Sequence, residues 1–206
     1  MIRRFFIPIL LSLGAAMIST TSFAADTSSA RPKKTATAIL AGGCFWCLEA
    51  DFEKFPGVLA AESGYTAGNK TNPTYEQVSA GSTGHTEAIR VTYDPDKVSY
   101  AQLLDHFWRN VDPTVRNRQF CDTGNQYRSG IYWQSDEERK LAENSREALL
   151  SSGKFKKVHT EIIAATIFYP AEDYHQDYYK KNPIRYAYYR NGCGRDARLQ
   201  ELWGKK

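Results

Sequence analysis

A chain of 206 residues, 42% hydrophobic and 24% charged, is long enough to enclose one continuous core and too mixed in composition to be collagen-like, coiled-coil or disordered. Its formal net charge of +4 becomes +2 when an N-terminal segment holding Arg3 and Arg4 is set aside, leaving 25 of 27 basic residues against 23 acidic ones. So small a balance excludes electrostatic capture of nucleic acid as the organising function.

The chain opens Met1-Ile2-Arg3-Arg4, continues as an apolar run from Phe5 to Met17, and reaches Ser22-Phe23-Ala24-Ala25-Asp26. Basic, apolar and small-residue segments in that order read as a secretory signal peptide. The apolar run falls short of the roughly 20 helical residues that cross a bilayer. Residues 1–24 are therefore expected to be removed after Ala24. The mature chain would be exported to the periplasm or beyond, without a membrane anchor. Residues 25–35 are polar and read as a linker, and 36–206 as one domain.

Within that domain, Ala36 to Leu40 reads as a strand closed by Gly42-Gly43, and Phe45, Leu48, Phe52 and Phe55 then recur at helical spacing. Val58 to Tyr65 and Ala88 to Tyr93 read as strands, with a short polar helix around Tyr75 to Ser79 between them. A helix is expected from Ser99 to Asn110, stopped by Asp112-Pro113. Residues 113–128 form a long aperiodic loop, of the kind that usually carries function. Ser129 to Trp133 is a strand. Ser135 and Glu138 form a capping box for the next helix, and Glu161 to Phe168 is a last strand. This order predicts an α+β two-layer sandwich with a split βαβ, ferredoxin-like core and appended C-terminal segments.

Gly42-Gly43-Cys44-Phe45-Trp46-Cys47 places a thiol at the start of a helix, where free N–H groups and the dipole favour the thiolate. A lowered Cys44 pKa is the expectation. Four cysteines (Cys44, Cys47, Cys121 and Cys193) in an exported chain would ordinarily pair structurally, but Cys44-x-x-Cys47 resembles a redox motif instead.

Gly43-Cys44-Phe45-Trp46 followed by Glu49 resembles the signature of the A-type peptide methionine sulfoxide reductases. The resemblance continues through Gly64-Tyr65-Thr66, Asn72-Pro73-Thr74-Tyr75, Gly84-His85-Thr86-Glu87, Tyr93-Asp94-Pro95 and Asp112-Pro113-Thr114. It then runs through Asp122-x-Gly124-x-Gln126-Tyr127-Arg128-Ser129, Tyr174-His175-Gln176 and Lys181-Asn182-Pro183, so that it covers about residues 36–185.

The resemblance implies that Cys44 is the nucleophile and Glu87 the acid that protonates a sulfoxide oxygen, a carboxyl whose pKa burial would raise. It further implies that Tyr75 and Tyr127 donate to the same oxygen, that Asp122 supports them, and that Phe45 and Trp46 recess the S-methyl group. Phe45 and Trp46 point about 100° apart on a helix and are not expected to share one face. Attack would leave methionine and a Cys44 sulfenic acid, which a second thiol resolves. Cys193, flanked by glycines in a tail taken as flexible, ranks first for that role, then Cys47, then Cys121, which stands where many members carry Asn. The substrates implied are the S-sulfoxide of free methionine and of oxidised proteins. A thioredoxin-like dithiol would regenerate the enzyme, with no bound cofactor or metal, and the protein would be a monomer.

Two other readings compete. A general thiol–disulfide oxidoreductase would use Cys44 and Cys47 alone. A zinc module would join these cysteines to His85 and to Cys121 or Cys193. His85-Thr86-Glu87 also echoes zinc deaminases, in the wrong order relative to the Cys pair. The aromatic and basic residues from Tyr174 to Arg198 read as a solvated tail rather than a nucleic-acid surface.

Overall fold

Strand β1 (Ala36–Gly42) is apolar on both sides. Ala38 and Leu40 belong to the main core, and Ile39 and Ala41 to a smaller cluster on the opposite face. A strand buried on both faces belongs in the middle of a sheet, and β1 lies between two antiparallel neighbours, β3 (Thr86–Tyr93) and β6 (Ser129–Trp133). The computed structural model describes residues 1–2 and 34–204. The expected signal peptide and linker fall almost entirely outside the described residues.

After β1 the chain enters helix α1 (Phe45–Glu53) and returns as β2 (Val58–Thr66), which pairs with the far side of β3. Strands β1 and β2 are thus parallel with β3 threaded between them, the split βαβ expected from the sequence. The short α2 (Tyr75–Ser79) lies between β2 and β3, and α3 (Tyr100–Trp108) carries the chain from β3 towards β6. Ser99 caps α3 by accepting from Gln102 N, and Leu103, Leu104, Phe107 and Trp108 are buried in the main core.

The long loop is partly ordered by a two-residue hairpin, β4 (Arg118–Gln119) and β5 (Asp122–Thr123), and by a single 3-10 turn at Asn125–Tyr127. Helix α4 (Asp136–Ser151) follows β6. Ser135 Oγ accepts from Glu138 N at 3.2 Å, but the Glu138 carboxylate takes Gln134 N rather than Ser135 N, so the expected capping box is half formed. β7 (Glu161–Ala164) joins β6 in parallel, and β8 (Tyr169–Pro170) pairs with β2. The strand expected to run to Phe168 stops at Ala164. The sheet order is β7-β6-β1-β3-β2-β8, an α+β layer arrangement with the helices against the Leu40, Ile89 and Val91 face.

The C-terminal segment is not a tail. It forms α5 (Tyr178–Lys181), α6 (Pro183–Gly192) and α7 (Arg195–Trp203). Arg195 fixes it: this side chain is 1% exposed and donates to Asn110 O at 2.7 Å and Gly42 O at 3.3 Å. Asp51 lies 3.6 Å from Arg195 and 2.9 Å from Arg190, so the buried Arg195 and the half-buried Arg190 share one half-buried anion. Removing one member of such a group strands the others without water. Arg195→Met should therefore lower the unfolding free energy by about 3 kcal/mol in urea titrations; an unchanged midpoint would show that the segment docks without it.

Candidate active site

The site begins where β1 meets α1. Gly43 turns the chain at φ +79°, and a Cβ there would collide with Gln119 Cβ. Gln119 cannot yield easily, because its amide bridges Asp112 N at 2.9 Å and Asp112 O at 2.8 Å. Cys44 follows as the N-cap residue of α1 and is buried, as is Cys47 one turn on.

The expectation of a low Cys44 pKa is corrected by this geometry. Burial pushes the Cys44 thiol well up, and the neighbouring Cys47 and Glu87 add to the effect. The free N–H at the start of the helix, Phe45 N, is taken by Glu87 Oε2 at 3.0 Å, so the dipole supports a carboxyl oxygen more than a thiolate. Cys47 moves the other way. The hydrogen bond from Cys44 lowers it against the opposing cost of burial, with Arg195 and Arg190 helping.

Glu87 reaches this position through strand alternation. Ile89, Val91 and Tyr93 point from β3 into the main core, and residue 87 has the same parity. It is 2% exposed. Burial pushes its pKa up to about 8, against the lowering effect of the Phe45 N–H and with Asp122 and Cys47 adding to the rise. Near neutrality Glu87 is mostly a carboxylic acid, able to donate. Tyr75 is pushed up to about 12 and Tyr127 also rises, both chiefly by burial, so both remain neutral phenols.

A cavity of about 390 Å³ gathers these groups, with Cys44, Glu87, Tyr75, Tyr127 and Asp122 on its walls. Phe45 and Trp46 line it as well. Their expected divergence is absent because the cavity sits over the end of the helix rather than beside it, and the ring centroids are 6.5 Å apart, tilted by 31°. Trp46 is held by Tyr178, stacked at 3.7 Å, and by His175 Nδ1, which accepts its indole N–H at 2.9 Å. Glu49 lies outside the cavity, accepting from Ser63 Oγ and Asp177 N and so tying α1 to the start of α5.

One wall was missed by sequence reasoning. Arg185, Tyr188 and Tyr189, all from α6, complete the cavity lining. Their i, i+3, i+4 spacing marks one face of a helix, a signal hidden by treating the segment as a tail. Tyr189 donates to Asp122 Oδ2 at 2.5 Å. Cys193 ends α6 and is bonded to Cys121, closing a 72-residue separation. Cys193 therefore lacks the flexible setting that ranked it first. His85 does not join Cys44 and Cys47, since its ring engages Gly68 N and Lys70 O. Among the described residues, the groups with metal-ligand proximity are Cys121, Asp122 and Cys193, and Glu49, Glu53 and Asp177.

A family model described as "Peptide methionine sulfoxide reductase" matches residues 36–206. The chain is 50% identical over 175 residues to the peptide methionine sulfoxide reductase MsrA of Bacillus licheniformis, covering 84% of this chain and 97% of that one. Reduced Mxr1 from Saccharomyces cerevisiae aligns with a TM-score of 0.70 at 35% identity, over 74% of this chain and 88% of that one. Mxr1 crystallised in complex with Trx2 aligns with a TM-score of 0.51 at 25% identity, over 74% and 91%.

The raised Glu87 pKa also bears on stability. The folded protein holds a proton that the unfolded chain, with a carboxyl near 4.5, releases, so this contribution is full below about pH 4.5 and is lost as pH rises through about 8. Glu87→Gln keeps an acceptor for Phe45 N without a charge. It should match the parent protein at pH 4.5 and exceed its unfolding free energy at pH 8 by roughly 1–4 kcal/mol. Equal stability at both pH values would mean that Glu87 is ionised in the folded state.

Proposed function

The chain belongs to the peptide methionine sulfoxide reductase family, and from that premise we propose that Cys44 attacks the sulfur of methionine-S-sulfoxide while Glu87 protonates its oxygen. The observation that carries this reading is the shared cavity: a buried thiol, a carboxylic acid held un-ionised near pH 7 and two neutral phenols face one space. Such donors stabilise the charge that grows on oxygen as the S–O bond weakens. Phe45 and Trp46 offer the aromatic recess that a methyl thioether prefers. The enzyme is an oxidoreductase whose reaction depends on thiols. Methionine is released and Cys44 is left as a sulfenic acid.

Cys47 is our choice of resolving thiol. It sits one helical turn from Cys44 with a lowered pKa, whereas Cys193 is already paired with Cys121. Condensation expels water and forms the Cys44–Cys47 disulfide, which a thioredoxin-like dithiol reopens through a mixed disulfide. The Mxr1–Trx2 complex supports such a donor for a relative. A plain thiol–disulfide oxidoreductase would leave Glu87, Tyr75 and Tyr127 without work.

We further propose that the mature chain starts at residue 25, is exported, and acts as a monomer on free methionine sulfoxide and oxidised proteins without a bound cofactor. The N-terminal sequence of the secreted form and its sedimentation coefficient test these points.

Dithiothreitol-driven assays with separate sulfoxide epimers test the chemistry. Turnover of the S epimer alone is expected, abolished in Cys44→Ser. The single-turnover rate should fall tenfold per pH unit above about 8, as Glu87 loses its proton. Cys47→Ser should release one equivalent of methionine and then stall with a dimedone-reactive Cys44. Sustained turnover by Cys47→Ser with stalling in Cys193→Ser would reverse the resolving assignment.

A further inference from the structure

Glu87 accounts for one proton of the reaction and leaves the other unplaced. Cys44 begins as a buried thiol, and its S–H proton must leave as the sulfur attacks. Among the described residues, no imidazole lines the cavity. On the wall supplied by α6, however, Tyr189 lines the same cavity as Cys44, and its hydroxyl donates to Asp122 Oδ2 at 2.5 Å. Its ring packs edge-on against Trp46 at 5.8 Å, and the helix that carries it is fastened to the neighbour of Asp122 by the Cys121–Cys193 disulfide.

We propose that Tyr189 is a catalytic residue, relaying the Cys44 proton to Asp122 as the thiol attacks, so that an Asp122–Tyr189 base faces the Glu87 acid across the cavity. The inference rests on the sulfoxide-reductase reading. The Cys44 S–H bond breaks, its proton passes to Tyr189 Oη, and the Tyr189 proton passes to Asp122. The Cys44–substrate S–S bond forms as Glu87 protonates the sulfoxide oxygen; the hydroxyl then moves to the Cys44 sulfur as the S–O and S–S bonds break, leaving an electron pair on the sulfur of methionine. Cys44 is oxidised by two electrons and the substrate sulfur reduced by two. When Cys47 displaces the new hydroxyl, the proton on Asp122 returns through Tyr189 to the departing oxygen, giving water, and the Cys47 proton restores Glu87.

The arrangement suits both directions of transfer. Burial raises the Asp122 carboxyl above the usual range, against the lowering effects of the Tyr189 hydroxyl and Arg195, so it is a better base than an exposed aspartate. The titratable and charged groups around the pair are Cys44 at the N-cap of α1, Cys47 on α1, Glu87 on β3, Tyr75, Tyr127, Arg185 and Tyr188 on α6, and Arg195 on α7.

The test is the single-turnover rate of methionine formation from the S epimer by prereduced full-length protein, between pH 5.5 and 7.5. The parent protein serves as the control for the underlying reading, since its failure to form methionine would sink that reading and not this one alone. Tyr189→Phe keeps the ring against Trp46 and removes the relay. It should be slower by about 100-fold at pH 6.5, and its rate should climb tenfold per pH unit because the thiol proton must now leave to hydroxide. Asp122→Asn should give the same slope, and the double variant should be no slower than either single one. A Tyr189→Phe rate within threefold of the parent, or a slower rate with the pH profile of the parent, would overturn the assignment. So would additive losses in the double variant.

Discussion

The hydrogen bond from Phe45 N to Glu87, 3.0 Å long, joins the N-terminus of α1 to the strand beneath it. Its geometry follows from topology, because the split βαβ threads β3 between β1 and β2 and so runs it under the helix that connects them. A residue on the helix face of β3 then has no way out to water. The carboxyl obtains one N–H donor, too little to offset burial, and its proton stays on through neutral pH. The same bond removes from Cys44 the dipolar support that a cysteine at a helix start usually enjoys. Burial thus keeps Glu87 an acid against that single donor, and burial likewise withholds the thiolate at Cys44.

The α1 end would be an open thiol site without the C-terminal segment. Tyr178 stacks on Trp46, Tyr179 donates to Glu53 at 2.7 Å, and Glu49 accepts from Asp177 N at 2.9 Å. These contacts clamp α5 onto α1 and lay α6 across the cavity. Arg195 performs the matching task at the other end, reaching the carbonyl of Gly42 just before the nucleophile. The segment that closes the site is therefore anchored to the element that generates it. The nucleophile, the acid and their cover are thus tied to one another, as a reaction that depends on close positioning needs.

Much of this was legible before any coordinates. Alternation along β3 and the apolar periodicity of α1 and α3 fixed the split βαβ, because a strand or helix with one apolar side has few places to go. Cys44, Glu87, Tyr75, Tyr127 and Asp122 were recoverable only through the family motif, since each alone reads as a core or surface residue. The C-terminal helices were not legible. Their apolar residues are sparse, and α6 and α7 depend instead on a buried arginine and on tyrosines with bonded hydroxyls, a polar and long-range form of packing that sequence periodicity does not register. Misreading that segment hid Tyr189 and overstated the freedom of Cys193.

The two cysteine pairs divide along the same line. Cys121 and Cys193 join two surface elements and close a long loop, which restricts the unfolded chain more than it shapes the native one. Cys44 and Cys47 lie buried together, and their inequality is what makes them useful. A pair with both thiols ionised would repel and would lack a proton to hand on, while a pair with both protonated would resolve slowly. Burial holds the proton on Cys44, and the nearby guanidinium groups of Arg190 and Arg195 favour the anion at Cys47. The sulfur that meets the sulfoxide therefore carries a proton that has to be removed, and the sulfur that closes the disulfide gives up its own more readily. The inequality of two thiols three residues apart follows first from burial of Cys44 and from the hydrogen bond that Cys47 receives from it, with the guanidinium groups adding to the effect.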